Sequence, residues 1–263
     1  MITKRLPRRL AHGEEATLVE HLGELRTRIL ISLIAIVPSF AIAFAFHSRI
    51  IEWLTDPLPD NRKLVTFGVT EPFTTSVKVS MIVAVAVSLP ILLFQLWAFM
   101  APAIEEHTQR TVSYFVVLAT VLFASGIAFS YVVVLPRALD FLTNFDDHLY
   151  DIQIRASYYY SFVALTLLAS GLAFQMPIFI LALVRLRVLT AAKLRRNRRI
   201  GYVLMVVFAI LLPTVDPVSL LLEVTPLLVL FELSIWLSSF MEKRWGFDPD
   251  DAGGFAGVFP DRD

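Results

Sequence analysis

"IGYVLMVVFAILLPTVDPVSLLLEVTPLLVLFELSIWLSSF", residues 200–240, decides the fold. It is apolar almost throughout. It is also far too long for one crossing of a hydrocarbon core roughly 30 Å thick, which a helix of about 20 residues spans. Its middle, PTVDP at 213–217, sets two prolines around an aspartate. Proline removes a backbone donor and clashes with the preceding helical turn, and aspartate is good turn chemistry. The stretch therefore divides into two membrane spans, Ile200–Leu212 and Val218–Leu237, of which the first is unusually short. A short span thins the bilayer or draws polar flanks inward.

Upstream lie four charge-free runs, Ile29–Phe46, Val79–Ile104, Thr111–Pro136 and Ala156–Val184, so six spans are expected. Composition agrees. Hydrophobic residues make up 57% of the 263, charged residues 17%, and mean hydropathy is +0.69. Soluble domains run at about 45–50% apolar. The class is an all-α integral membrane protein. There is no cysteine, which excludes a disulfide framework, a thiolate metal site and a thiol nucleophile.

Basic residues set the expected orientation. Six stand before the first span (Lys4, Arg5, Arg8, Arg9, Arg26, Arg28) and seven, with no acid, between the fourth and fifth (Arg185, Arg187, Lys193, Arg195, Arg196, Arg198, Arg199). Arg110 joins that side, while the opposite side holds five: Arg49, Arg62, Lys63, Arg137 and Arg155. Both termini are therefore expected in the cytoplasm, in keeping with an even number of crossings. Trp53, Trp97 and Trp236 fall near expected span ends, where interfacial indoles belong. A cleaved signal is not expected. The first apolar run exceeds the usual signal core of about 7–15 residues, and acids precede it. The organisation expected is a cytoplasmic tail, 1–17, one membrane domain, 18–240, and a solvated, Asp- and Gly-rich tail, 241–263. The outer connections, about 47–71 and 137–155, are long enough for short structure of their own. An echo, ASGIAF at 124–129 and ASGLAF at 169–174, reads as small-residue packing faces between neighbouring helices.

Polar groups inside spans need partners or a function. Here they are Gln95, Gln175, Asp216, Glu223 and Glu232. Gln175, before Met176 and Pro177, suits an interhelical hydrogen bond. Glu223 and Glu232 should face protein or a water-filled cavity. Ahead of the first span, HLGELRTRIL at 21–30 reads as an amphipathic helix with Leu18, Leu22, Leu25 and Ile29 on one stripe. Glu24 stands four residues before Arg28, the favourable order for an intrahelical pair, with Glu20 one turn earlier. A second acidic spot, Glu105 and Glu106, lies on the same side in APAIEEHTQR, 101–110. Acids at a basic membrane face suit a cationic ligand, and an arginine–carboxylate contact there is directional and charge-assisted.

These stretches resemble the TatC family, the receptor subunit of the twin-arginine protein translocase, over about residues 18–240. HLGELRTRIL matches the family's HLxELRxR. EPFTTSVK, 71–78, matches [ES]PFxxxxK. LPILLFQLWAFMAPAIEEH, 89–107, is similar to the family's stretch around Q-x-W-x-F and P-[AG]-[LI]; FQMPI, 174–178, sits at F-E/Q-x-P; and PTVDPVS, 213–219, resembles TPxDxxS. The resemblance implies a concave bundle of six helices with short fifth and sixth spans. It implies signal binding at Glu24, with Leu22, Leu25, Arg26 and Phe99 on the same surface, together with Glu105, Glu106 and the position of Thr108, where the family often carries a second acid. It implies partner contact or translocation roles for Pro57, Gln175 and Asp216. Gln175 stands where many members have Glu, and Leu220 replaces a frequent glutamine.

The function so implied is that of a receptor and scaffold in the export of folded proteins, embedded in the cell membrane. Its partners are the twin-arginine signal peptides of cargo, single-span subunits of the TatA and TatB type, and further copies of itself. It performs no bond chemistry and needs no cofactor, metal or nucleic acid. No nucleotide-binding GxxxxGK[ST] is present. Two other readings stand beside it. One is a divergent family member that binds signals weakly, for which Thr108 and Leu220 speak. The other is a small secondary transporter, with Gln175, Glu223 and Glu232 as a midplane site and broken helices at Pro90 and Pro177. A membrane enzyme has little support. FDDHLYD, 145–151, has acids and His148 but no second histidine nearby for a metal.

Overall fold

The structure is a computed structural model, and it describes residues 18–59, 63–100, 108–150, 152–213 and 216–245. In chain order the helices are α1 (Leu18–Ala45), α2 (His47–Thr55), α3 (Glu71–Met100), α4 (Thr108–Phe129), α5 (Leu135–Asn144), α6 (Ala156–Ala173), α7 (Met176–Arg185), α8 (Ala191–Arg196), α9 (Arg198–Ile210) and α10 (Pro217–Trp245). A π-helical segment, Ser130–Val134, joins α4 to α5. Two short strands, β1 (Leu64–Val65) and β2 (Ile154–Arg155), pair in parallel, Leu64 opposite Ile154.

Five helical stretches among the described residues are long and apolar enough to cross a membrane: Leu22–Ala45, Glu71–Phe99, Phe115–Asn144, Ala156–Arg185 and Pro217–Lys243. The segment expected to form the fifth span folds as α9, whose 13 residues reach only about 20 Å at 1.5 Å per residue and which is not among these five. The expected short sixth span is corrected. α10 has 29 residues and continues through Pro226. Its length, about 44 Å, more than covers a bilayer core.

Prolines shape two other spans, and the first of them departs from its expected end. The third span was expected to stop at Pro136. Instead the chain widens just before it, Leu135 N–H donates to the Ser130 carbonyl five residues back, and helix continues to Asn144. The wider turn accommodates a ring that a regular helix interior rejects. The fourth span breaks at Phe174–Gln175 and restarts as α7, with Pro177 in its first turn, where a missing N–H costs nothing.

Among the described residues, three apolar clusters hold these pieces together. The first joins Leu54 and Leu58, Val79, Leu135 and Leu139 to Tyr159, Val163 and Leu167. It builds the expected local structure of the outer connections: Tyr159 Oη donates to the Leu54 carbonyl at 2.9 Å, Tyr131 Oη to the Trp53 carbonyl at 3.0 Å, and Trp53 stacks on Tyr131. The second packs Ile180 and Val184 of α7 on Met205 and Ala209 of α9 and on Leu227 and Phe231 of α10. The third packs Trp97 on Phe115, Ile178 and Leu181. Trp97 therefore corrects an expectation. It is 4% exposed and stacked on Phe115 at 4.6 Å between centroids, a core residue and not an interfacial one.

The ASG echo is a packing device, as its composition suggested. A Cβ on Gly126 would stand 2.8 Å from the Ser170 carbonyl oxygen, and one on Gly171 would stand 2.6 Å from the Phe123 ring. Each copy supplies the glycine that lets the other helix approach.

Candidate functional site

α1 packs chiefly along α3 and leaves most of its own surface uncovered, Leu22 at 63% and Ile29 at 50% exposure. Leu22 and Ile29 of the apolar stripe read from the sequence are thus exposed, with Leu25 half-buried. Glu24 stands on another face of the same turns. Arg28 donates to Glu24 Oε1 from Nε at 3.0 Å and also from one terminal nitrogen. Its other terminal nitrogen lies 3.4 Å from Gln95 Oε1 on α3. The Glu24 side chain remains 35% exposed. Gln95 is thereby accounted for, since it receives the arginine that Glu24 holds.

Arg26 is exposed and Phe99, at the end of α3, is half-buried. Thr108 begins α4. Glu105 and Glu106 lie outside the described residues, and so does their geometry relative to Glu24. The structure thus brings Leu22, Glu24, Leu25 and Arg26 together on the first turns of α1, with Gln95 of α3 tied to them through Arg28. Arg28 pairs with Glu24 as the sequence reading expects, whereas Gln95 was missed as a member of this cluster. The four-residue spacing signalled the pair, and nothing local signalled Gln95.

The other polar groups have separate partners. Gln175 Nε2 donates to the Ala119 carbonyl of α4 at 2.9 Å, the interhelical bond expected of it. Ser170 Oγ donates to Glu223 at 2.9 Å, and Glu223 is 3% exposed. Tyr202 Oη donates to Glu232 Oε1 at 2.5 Å, and Arg198 pairs with Glu232 Oε2 at 3.0 Å. The three residues of the transporter reading are thus tied to α4, α6 and α9 respectively. Asp216 is 3% exposed and caps α10, its Oδ1 accepting from Ser219 N–H at 2.7 Å. Its Oδ2 has no hydrogen-bond donor among the described residues. Pro57 is half-buried in the turn after α2, between the core residues Leu54 and Leu58.

At the far end of α3, Glu71 makes a junction that sequence reasoning missed. Its Oε1 accepts from Arg155 Nε at 2.9 Å and Ser157 N–H at 3.2 Å, and its Oε2 accepts from Phe67 N–H at 3.0 Å. The Glu71 bond raises the pKa of Arg155 above its ordinary value. Arg155 also lies over the rings of Phe67 and Tyr158. The motif EPF was visible, but two of its carboxylate's three partners, Arg155 and Ser157, stand more than eighty residues away.

The family profile described as Sec-independent protein translocase protein (TatC) matches residues 20–226. The chain belongs to the TatC family. TatCd of Bacillus subtilis (strain 168) is 35% identical over 231 residues, covering 88% of this chain and 95% of that protein. TatC of Aquifex aeolicus (strain VF5) is 35% identical over 233 residues, covering 86% and 96%. Among solved structures, a crystal structure of the twin-arginine translocase receptor TatC in DDM superposes with a TM-score of 0.74 at 34% identity, covering 83% of this chain and 99% of that one. Like its TatC relatives, the chain is a multi-span membrane protein of the Sec-independent translocase family, and its helices carry the TatC fold.

Proposed function

We propose that this protein is the signal receptor of a twin-arginine translocase, and that Glu24 receives a signal arginine. The observation that carries the reading is Glu24 itself. It is a partly exposed carboxylate at the start of a spanning helix, already bound to a guanidinium, with Leu22 and Arg26 exposed two residues to either side in the sequence. A carboxylate that accepts Arg28 through the planar fork is stereochemically suited to accept an incoming arginine. The apolar side chain of Leu22 would meet the hydrophobic part of a signal.

In this reading α9 is the short fifth of six crossings and both termini are cytoplasmic, as the basic residues ask. TatA- and TatB-type single-span subunits assemble against the bundle, and further copies of the chain join the complex in the cell membrane. Asp216 serves partner binding or translocation by fixing the turn into α10, since the carboxylate itself is buried. The chain transforms no substrate. The transporter reading loses ground because Gln175, Glu223 and Glu232 each engage a different helix.

The test is equilibrium binding of a labelled twin-arginine signal peptide to the protein in nanodiscs, against the same peptide with two lysines. Lysine keeps the charge and loses the fork, so binding should weaken by about tenfold or more. Equal affinity for the two peptides would refute the receptor reading.

A further inference from the structure

A groove of about 510 Å³ runs between α7 and α9, with Phe231 of α10 as part of its lining. Met176 and Leu211 stand toward one end; Leu183, Lys193 and Asn197 stand toward the other. The walls between are apolar, and Lys193 and Asn197 are the polar residues of the lining. Phe231 reaches its place because residue 201 is glycine. A Cβ there would stand 2.1 Å from the ring.

We propose that this groove binds one anionic phospholipid, an acyl chain lying along α9 and the phosphate meeting Lys193 and Asn197. Four observations lead there. The polar pair is one helical turn apart, at a single end of an otherwise apolar trough, which is the polarity of a lipid. That end belongs to the segment 185–199, which carries seven basic residues and no acid. Basic pockets between spanning helices at the charged face are headgroup sites. The site is also pre-built. Thr190 Oγ1 accepts from Lys193 N–H at 3.2 Å, and Glu242 accepts from Ala191 N–H at 2.7 Å, which fixes α8 against the end of α10. Finally, the volume falls in the range of small-ligand sites, about 300–1,000 Å³.

A second helix is a poorer occupant. Close helix packing in a membrane needs small residues on the wall. The glycine of this wall is already covered by Phe231, and its neighbours Ile200, Leu204 and Phe208 are bulky. The proposal is independent of signal binding at Glu24.

The experiment takes the full chain, delipidated in detergent. It is titrated with phosphatidylglycerol or phosphatidylcholine of identical acyl chains, and bound lipids are counted by native mass spectrometry. The first phosphatidylglycerol should bind about tenfold tighter than phosphatidylcholine. Lys193→Gln should remove most of that preference, and Leu204→Trp, which fills the groove, should weaken both lipids. A phosphatidylglycerol with a photoreactive acyl chain should label residues 200–211 of the unaltered protein, which needs no variant to fold. Equal affinity for the two headgroups, or a preference that survives both substitutions, would overturn the proposal. So would acyl-chain labelling confined to other helices, or crosslinks that put a single-span subunit's helix in the groove of lipid-replete membranes.

Discussion

Arg28 donates twice to Glu24 Oε1 and reaches Gln95 Oε1 at 3.4 Å, so one guanidinium ties the start of α1 to α3. An incoming arginine must therefore share or displace an internal one. The proposed site is a carboxylate held ready by a cation, and binding there is an exchange of partners. Glu24→Gln keeps the shape and removes the charge. A hydrogen bond to a charged group is worth about 1.5–3 kcal/mol, so twin-arginine peptide affinity should fall about ten- to a hundredfold, measured by the nanodisc titration. The variant should still insert and purify as a monodisperse protein, because Arg28 retains Gln95.

The paired glycines give a graded stability prediction. At Gly126 an added methyl meets backbone, the Ser170 carbonyl oxygen at 2.8 Å and Gly171 Cα at 3.0 Å. At Gly171 it meets the Phe123 ring, a side chain with some freedom to turn. Overpacking costs about 1–3 kcal/mol when neighbours cannot move. Gly126→Ala should therefore lower the melting temperature in detergent more than Gly171→Ala. The reverse order would show that α4 and α6 separate more readily than the Phe123 ring turns.

Much of this fold was legible as hydropathy, because bilayer thickness turns length and charge-free runs into helices. Residues 200–240 divided at PTVDP as proline chemistry required, and Asp216 capped the helix that follows. What hydropathy could not reach were lengths set by tertiary contact. Pro136 was absorbed by a π turn, and Trp97 was drawn into the core by Phe115. At the candidate site the Glu24–Arg28 spacing was readable because it is local. Gln95, sixty-seven residues from Arg28, was not. The same holds for Glu71, whose partner Arg155 is placed by the parallel pairing of β1 with β2.

Asp216 separates two roles for one residue. Asparagine caps a helix about as well as aspartate, whereas alanine forfeits about 0.5–2 kcal/mol. Asp216→Asn should keep both melting temperature and export of a twin-arginine reporter near wild type. Asp216→Ala should lower both and leave signal-peptide affinity unchanged. An export defect in the Asn variant at normal stability would assign the charge itself a function.

Glu71 collects three donors from two separate connections, so its loss should be felt at a distance. In Glu71→Ala the amides of Phe67 and Ser157 lose their acceptor. Hydrogen exchange at both should accelerate together, while Arg155→Lys, which leaves both amide bonds in place, should change them less. Unaltered protection in Glu71→Ala would mean that the β1–β2 pair alone holds these connections.

The most direct measurement is photo-crosslinking in native membranes. A photoreactive amino acid replaces Leu22, whose side chain is 63% exposed two residues before Glu24, and a folded cargo carries either a twin-arginine or a twin-lysine signal. A crosslink to the arginine signal that disappears with lysines, and disappears again when Glu24→Gln is added, is the predicted result. A crosslink indifferent to both changes, or none in a complex that still exports the cargo, would contradict signal recognition at Glu24.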